Sequence, residues 1–359
     1  MEHYVGLEHL DADSLKIRRW GTPDDVEATK LMFKKGDIIF GRRRAYQRKL
    51  GVAEFDGICS AHAMVLRAKP DVVLPDFLPF FMQSDQFMNR AVEISVGSLS
   101  PTINWKTMAA QEFVLPTMEE QQRITMLLIS ANAVRVHYDE LLEATSSLLM
   151  SSLEAAQGEG DFPLKSIDEL CDLIMDFRGR TPKKLGMDWS DGDIPALSAN
   201  NVLHRKIDLH KETNYGSLAL YEKWMTRGDL REGDVLFTTE APLGNVVRIQ
   251  QSQRYILSQR VIAMRTKAAQ IRSDYFEAIL CSNHFRRELE RLATGTTAKG
   301  IRVGSLVTIK IPVPPLAYQA EWSARISEVT RIERKVEERR VGMRALLSSL
   351  LNESLSGKS

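Results

Sequence analysis

Apolar and small residues recur at heptad spacing between Glu119 and Glu154: Ile124, Ala131, Tyr138, Thr145 and Ser152. A second set interleaves with them: Leu127/Leu128, Val134, Leu141/Leu142 and Leu148/Leu149. No Pro or Gly interrupts the stretch, so the pattern predicts one long amphipathic helix with a coiled-coil seam. At 1.5 Å per residue that helix would be roughly 50 Å long. A seam of that length needs a partner. The pattern returns between Gln319 and Leu355, where Trp322, Val329, Val336, Met343 and Leu350 each lie 198 residues after a counterpart. Both stretches follow a Pro and then a Gln, Pro116 with Gln121 and Pro314 with Gln319. The two helices are expected to pair with each other.

The repeat extends beyond the helices. At the same offset, Ile58-Cys-Ser60 matches Ile256-Leu-Ser258, and Leu66-Arg-Ala-Lys69 matches Met264-Arg-Thr-Lys267. One residue out of step, Phe33-Lys-Lys-Gly-Asp-Ile-Ile-Phe40 matches Leu230-Arg-Glu-Gly-Asp-Val-Leu-Phe237. A constant offset over so many residues means two copies of one domain-plus-helix unit. Each copy should contain a Gly-Asp turn, an apolar strand (38–40), a second strand (63–67, matching 261–265) and a helix (75–95, matching 273–293). A Gly-containing loop follows (96–105 and 294–304), then a short strand at 112–115 or 310–313. Residues 162–193 of the second copy have no counterpart ahead of Tyr4, which makes the first copy shorter. Residues 155–161 read as the linker between copies.

Composition narrows the class only modestly. Hydrophobic content of 43% and charged content of 26% over 359 residues are ordinary globular values. Cys59, Cys171 and Cys281 are scattered, make no metal spacing and suit a reducing cytoplasm. No apolar run is long enough for a membrane span, and Met1-Glu-His-Tyr does not begin a secretory leader. The net charge of +1 says nothing for nucleic acid by itself. Its distribution says more: residues 118–160 carry 2 basic and 7 acidic side chains, residues 316–359 carry 8 and 6, and residues 161–315 carry 23 and 19.

Enzyme signatures are absent from the sequence. No Gly-x-Gly-x-x-Gly follows a strand, Gly357-Lys-Ser359 lacks the rest of a phosphate loop, and the seven histidines form no helical metal pair. Polar clusters in matching loops stand out instead. In the first copy they are Lys34 and Lys35, the run Arg42, Arg43, Arg44, Tyr46, Arg48 and Lys49, and the group Ser100, Asn104 and Lys106. In the second they are Arg178, Arg180, Thr181, Lys183 and Lys184, then Asn200 and Asn201, Thr238 and Thr239, and finally Thr296, Thr297, Lys299 and Arg302. Arginine suits bidentate contact with phosphate or the guanine edge, and hydroxyl and amide groups suit base edges. Trp20, Trp189 and Trp224 read as packing residues.

Two similar units joined by long helices, with the Gly-Asp-(Ile/Val)-(Ile/Leu)-Phe and Pro-x-x-x-x-Gln landmarks, resemble the specificity subunit of type I restriction–modification systems. Particular matches are Phe33–Lys49 with Phe55-Asp-Gly-Ile-Cys-Ser60, Ser98–Lys106 and Pro116–Ile124; 178–184 resembles the family's Gly-Gly-Thr-Pro turn, with Arg178 and Arg180 replacing small residues. The resemblance implies an α+β fold: two tandem mixed α/β target recognition domains separated by two long antiparallel coiled-coil helices, a pseudo-two-fold repeat. The expected boundaries are 1–117 and 162–315 for the domains, and 118–156 and 316–356 for the helices. It further implies that each domain reads half of a bipartite site in double-stranded DNA and that the helices set the spacer. The helices would also dock two methyltransferase (modification) subunits, and the assembly can recruit motor-nuclease (restriction) subunits. The chain would itself catalyse nothing and hold no cofactor, S-adenosylmethionine and ATP belonging to those partners. The short first copy keeps an alternative open: a truncated or orphan subunit that modulates or dimerises without reading a full site.

Overall fold

The computed structural model describes residues 2–25, 30–157, 162–189, 192–295 and 298–355. Along the chain come strands β1 (Tyr4–Val5), β2 (Lys30–Phe33), β3 (Ile38–Gly41), β4 (Leu50–Val52), β5 (Gly57–Ser60) and β6 (Ala63–Leu66). Helices α1 (Leu78–Gln83), α2 (Asp85–Glu93), α3 (Trp105–Ala109) and α4 (Met118–Ala155) follow. Next are β7 (Leu164–Ser166), α5 (Ile167–Leu170), β8 (Cys171–Asp176), β9 (Ile194–Leu197), β10 (Val202–Leu203), β11 (Lys206–Ile207), β12 (Asn214–Gly216) and α6 (Leu218–Trp224). The rest comprises β13 (Val235–Thr239), β14 (Leu243–Arg248), β15 (Ile256–Leu257), β16 (Val261–Thr266), α7 (Ser273–Leu280), α8 (Asn283–Leu292), α9 (Val303–Leu306), β17 (Lys310–Pro312) and α10 (Leu316–Leu355). The chain forms two compact units, one of residues 1–141 with 336–359 and one of residues 142–335.

In the first unit, β3 is paired antiparallel with β4 on one side and β6 on the other. Its Ile38-Ile39-Phe40 run is apolar at every position because both faces of the strand are covered. Ile38 and Phe40 face a core of Phe77, Phe81, Phe87, Ile124 and Leu128, completed by Leu347 and Leu351 from α10. Ile39 faces a smaller core with Val5, Phe33 and Cys59 under the sheet β1-β5-β2. In the second unit β13 takes the same role. Val235 and Phe237 face Leu149, Leu153 and Ile326, while Leu236 faces Trp224 and Phe177. Here the sheet has a fourth strand, in the order β14-β13-β16-β8.

The landmark residues have physical reasons. Gly36 and Gly233 take φ of 90° and 89°, the left-handed region that the turn requires. The next residue folds back: Asp37 accepts from the Lys34 amide and Asp234 from the Arg231 amide, both at 2.8 Å. Each carboxylate also receives a two-pronged arginine, Arg67 at 2.6 and 2.7 Å and Arg265 at 2.8 and 2.7 Å. Gln121 and Gln319 are buried at the start of the long helices. Gln121 accepts from the Leu74 amide at 2.9 Å and donates to the Pro116 carbonyl at 3.0 Å. Gln319 does the same with Arg272 and Pro314, at 2.9 and 2.8 Å. Buried amide groups demand such partners, which is why Gln recurs after the prolines.

Three expectations from the sequence change. Each expected domain helix is two helices, broken at Ser84 and at Ser282, whose hydroxyls cap the second piece by accepting from Phe87 and Phe285. The segment 112–115 forms no strand, whereas its match is β17, paired with β7; β7 lies in the stretch that the first copy does not match. Finally, the buried seam of α4 runs through Gln121, Ile124, Leu128, Arg135, Thr145, Leu149 and Leu153, while Leu127, Val134 and Leu148 are exposed. At Val134 the expected apolar position belongs to its neighbour Arg135.

Arg135 is charged and buried, so it must be compensated. Its guanidinium donates to Asp139 at 3.0 Å and to Asn132 at 3.2 and 3.0 Å. Asp139 also receives Arg18 at 2.8 Å and Arg340 of α10 at 3.5 Å. The pairing of α4 with α10 within the first unit is therefore partly ionic. Within the second unit it is carried by Leu149, Leu153 and Ile326, with Ser146 donating to Glu333 at 2.5 Å. Residues that approach one another on the two helices have descending numbers on one and ascending numbers on the other, so the pair is antiparallel in each unit.

Candidate nucleic-acid interface

In both units the strand β3 or β13 runs into a polar loop, and a second loop is tied to it. In the first unit the Arg44 amide donates to the Pro101 carbonyl at 2.7 Å, the Ile103 amide to Arg42 at 2.9 Å, and the Arg44 guanidinium to the Ser100 hydroxyl at 3.1 Å. In the second the Ile301 amide donates to Thr239 at 2.9 Å, and Glu240 bridges Gly300. The folding of the chain thus brings two sequence-distant polar clusters together twice.

The side chains divide into framework and surface. Arg48 is framework: it bonds Asp13 at 2.8 Å, Asp85 at 3.0 Å and the Gln83 carbonyl. Lys49 donates to the Leu7 carbonyl at 2.7 Å. Asn104 caps α3 by accepting from the Lys106 amide at 2.9 Å. Arg43 approaches His62 at 3.4 Å, and half-buried Arg42 keeps a buried Nε with no hydrogen-bond acceptor. Lys34, Lys35, Arg44, Tyr46 and Lys106 are exposed.

In the second unit Asn201 is fully buried. Its oxygen accepts from the Ser198 amide and hydroxyl at 3.0 and 2.8 Å, and its amide donates to Thr213 at 2.7 Å. Thr238 and Thr239 are buried too: Thr238 accepts from the Asn245 amide at 2.9 Å, and Thr239 donates to the Arg260 carbonyl at 3.3 Å. These three shape loops from within rather than line a surface. Arg178 grips Asp176 at 2.8 and 2.7 Å, and those hydrogen bonds raise the guanidinium pKa above its ordinary value. Arg180 lies 5.1 Å from the Phe177 ring and donates to the Trp224 carbonyl and to Thr226. Thr181 caps the turn at Lys184, whose ammonium donates to Gly179 at 2.7 Å. Lys183, Asn200, Lys299 and Arg302 are exposed, and Thr296 and Thr297 lie outside the described residues.

A cleft of about 430 Å³ gathers Arg180, Thr181, Lys183 and Asn200 with Trp189, which the sequence marked as a packing residue, and with residues that it did not single out: Asp188, Glu212, Asn214 and Gln259. Its floor is Trp224, whose indole donates to the Leu257 carbonyl at 2.9 Å and stacks obliquely with Trp189. Trp224 is a packing residue that also shapes a surface. The spacing Arg180…Asn200…Asn214…Gln259 carries no periodicity, so only tertiary structure could assemble this group.

Among the described residues no cluster of three His, Cys, Asp or Glu side chains could hold a metal. Burial pushes the thiols of Cys59, Cys171 and Cys281 up to about 12, far from thiolate at neutral pH. Among the described residues no helix is long and apolar enough to cross a membrane.

Comparison with known proteins completes the picture. The family model described as "Type I restriction modification DNA specificity domain" matches residues 25–130 and 159–340. The type I restriction enzyme EcoDI specificity subunit of Escherichia coli is 29% identical over 163 residues, which is 44% of this chain but only 36% of that one. The MjaVIII specificity subunit of Methanocaldococcus jannaschii is 23% identical over 84% of this chain and 74% of its own length. Among solved structures, a chain from a study of complex assembly and conformational transition of the type I R-M system matches all of this chain and 92% of its own, at 20% identity and a TM-score of 0.58. The type I S subunit from M. genitalium matches over 100% and 89%, at 13% identity and a TM-score of 0.57. At these identities the structural matches speak for the fold.

Proposed function

The chain belongs to the family of type I restriction–modification DNA-specificity proteins, and from that premise we propose how its two units divide the work. Each unit reads one half of a bipartite sequence in double-stranded DNA through the paired loops beyond β3 and β13. The observation that supports this most directly is the repeated loop pair with unlike chemistry. In the first unit it carries Arg43, Arg44, Tyr46 and Lys106, suited to phosphate and guanine edges. The second unit adds the cleft of Lys183, Asn200, Asn214 and Gln259, with the carboxylates of Asp188 and Glu212. Amides suit adenine and carboxylates suit the cytosine amino group. One backbone plan with two side-chain sets would read two different half-sites.

In this reading the chain is not itself catalytic. Methyl transfer, with its S-adenosylmethionine, and ATP-driven steps belong to methyltransferase and restriction partners. The long helices set the half-site spacing and present docking surface. Leu127, Val134 and Leu141 of α4, seven residues apart and exposed within the first unit, suit an apolar partner helix. The test is binding-site selection from randomised duplexes by the chain with its methyltransferase subunit. A bipartite motif is expected. Replacing Asn200, Asn214 and Gln259 with Ala should relax one half of that motif only; loss of both halves, or of neither, rejects the division of labour. A motif with a single half would favour the orphan reading.

A further inference from the structure

The second unit holds another cleft, away from its paired loops. It lies between the β10–β11 turn, the end of β14, α7 and the first half of α10, and its volume is about 270 Å³. Four guanidiniums line it, those of Arg205, Arg248, Arg331 and Arg334, against the two carboxylates of Asp274 and Glu277. Most of these charges are matched. Asp274 receives Arg272 at 3.1 and 2.7 Å and the Ser323 hydroxyl at 3.0 Å. Arg331 holds Glu328 at 2.8 and 2.5 Å. Glu277 accepts from the Arg248 amide at 2.9 Å and lies 3.6 Å from the guanidinium of the same residue. Arg205 and Arg334 are left over, so the cleft keeps the charge of two guanidiniums. Arg205 is half-buried, and its Nη1 is buried with no acceptor; the buried Nε of Arg248 has none either. Arg334 is exposed and has no carboxylate partner among the described residues. Buried donors without acceptors are costly, and buried charge without counter-charge more so.

The fold does not require this charge. At the offset of 198, Ala133 and Val136 match Arg331 and Arg334, and Pro79 matches Glu277. By sheet register Val52, opposite Ile38, matches Arg248, opposite Val235. The first copy therefore builds the same strand and helix with apolar residues at all four places. The arginines belong to the second unit alone, and packing does not account for them.

We propose that this cleft binds a dianionic phosphate group, either free or at the end of a nucleotide. Two unbalanced guanidiniums match two negative charges. The donors come from three elements: Arg205 from the β10–β11 turn, Arg248 from the end of β14 and Arg334 from α10. A tetrahedral oxyanion accepts hydrogen bonds on every side, whereas a carboxylate accepts in one plane. Arginine suits that contact through its fixed fork of donors. Ser327, exposed on the same face of α10 as Arg331 and Arg334, adds a hydroxyl. No residue of the paired loops lines the cleft, so phosphate binding here stands or fails apart from the DNA reading.

The test is thermal melting of the whole chain with inorganic phosphate, at constant ionic strength set by chloride. Saturable stabilisation is expected, by about 3–6 °C at ten times the Kd. Arg334→Gln, at an exposed helix position, should preserve the circular dichroism spectrum and weaken phosphate roughly tenfold. Without phosphate, Arg205→Gln should melt at the same temperature as the parent chain or higher, because it removes an unbalanced charge; it should also lose the response to phosphate. AMP binding at least tenfold tighter than phosphate, with adenosine silent, would identify the nucleotide source, and equal affinities the free ion. Three results overturn the proposal. One is a phosphate response that is absent, or unchanged in both variants, which would be an adventitious ion effect only. Another is an Arg205→Gln chain that melts lower yet keeps the full response, which would make Arg205 structural. The third is Arg334→Gln weakening an unphosphorylated DNA duplex as much as it weakens phosphate, which would make the occupant a backbone diester.

Discussion

Arg67 and Arg265 hold their aspartates in the same geometry but stand in different surroundings. The guanidinium of Arg265 also donates to the Asp229 carbonyl at 2.8 Å and lies beside β8, while that of Arg67 faces open water. The pair shows that the Gly-Asp turn and its arginine belong to the core plan of the unit, whereas the covering strand is separable from it. A salt bridge therefore does not have one worth per motif. Its contribution depends on how much water the second partner keeps.

The largest expected effect comes from the seams, where the two units differ most. Asp139→Ala in the first unit leaves Arg135 buried and deprived of its carboxylate, and should cost about 3–5 kcal/mol in denaturant unfolding. At the corresponding pairing in the second unit, Ser146→Ala should cost only about 0.5–1.5 kcal/mol. Similar losses from both would mean that Arg135 finds water in place of Asp139.

The helix-start glutamines should, by contrast, behave alike. Gln121→Leu and Gln319→Leu each strand a backbone amide, of Leu74 or Arg272, and each should cost about 1–3 kcal/mol. A large inequality would show that one hook is dispensable. Acid stability offers a sharper view of the turn. Hydrogen bonds from Arg67, aided by the Lys34 amide, hold the Asp37 carboxyl below its ordinary range despite the opposing effect of burial. Its folded pKa lies below the unfolded value, so its contribution is complete above about pH 4 and is lost as pH falls through the folded value. Asp37→Asn should flatten the fall of stability in that acid window, as followed by thermal melts between neutral pH and the acid limit.

The smallest expected effect is on DNA. Replacing Arg43 and Arg44 with Ala should reduce the slope of log K against log salt by about 1–2, roughly one counterion for each phosphate that is no longer neutralised. Replacing Lys299 and Arg302 tests the matched loop of the other unit. An unchanged slope in the first case and a changed one in the second would place phosphate contact in one unit only.

The fold was largely legible because it is written twice. A constant offset marked the two copies of the repeat, and heptad spacing marked both long helices and their antiparallel pairing, whereas the compact units, 1–141 with 336–359 and 142–335, share the long helices between them. Local signals failed where a residue's role depends on a distant partner. Val134 is the more apolar residue, but Arg135 occupies the seam because Asp139 and Asn132 lie one turn away to satisfy it. Asn201, Thr238 and Thr239 look like surface polar residues in sequence, and their partners Thr213, Asn245 and Arg260 turn them inward. The breaks at Ser84 and Ser282 were legible in principle, since Ser before Asp85-Gln-Phe and Asn283-His-Phe is a helix-start signal inside an apolar run. Asn214 and Gln259 of the cleft had no such signal.

The first unit is assembled from two separated stretches: Leu347 and Leu351 complete the core around Phe77 and Ile124, and Asn352 donates to Asp85 at 2.7 Å. The second unit is a single continuous stretch, residues 142–335. During synthesis, then, the usual order of domain completion is reversed. Residues 142–335 hold their whole core within one stretch, whereas the segment made earlier must wait with an unfinished core until α10 emerges. A released chain ending near residue 335 should therefore resist protease in its later half and yield to it in its earlier one.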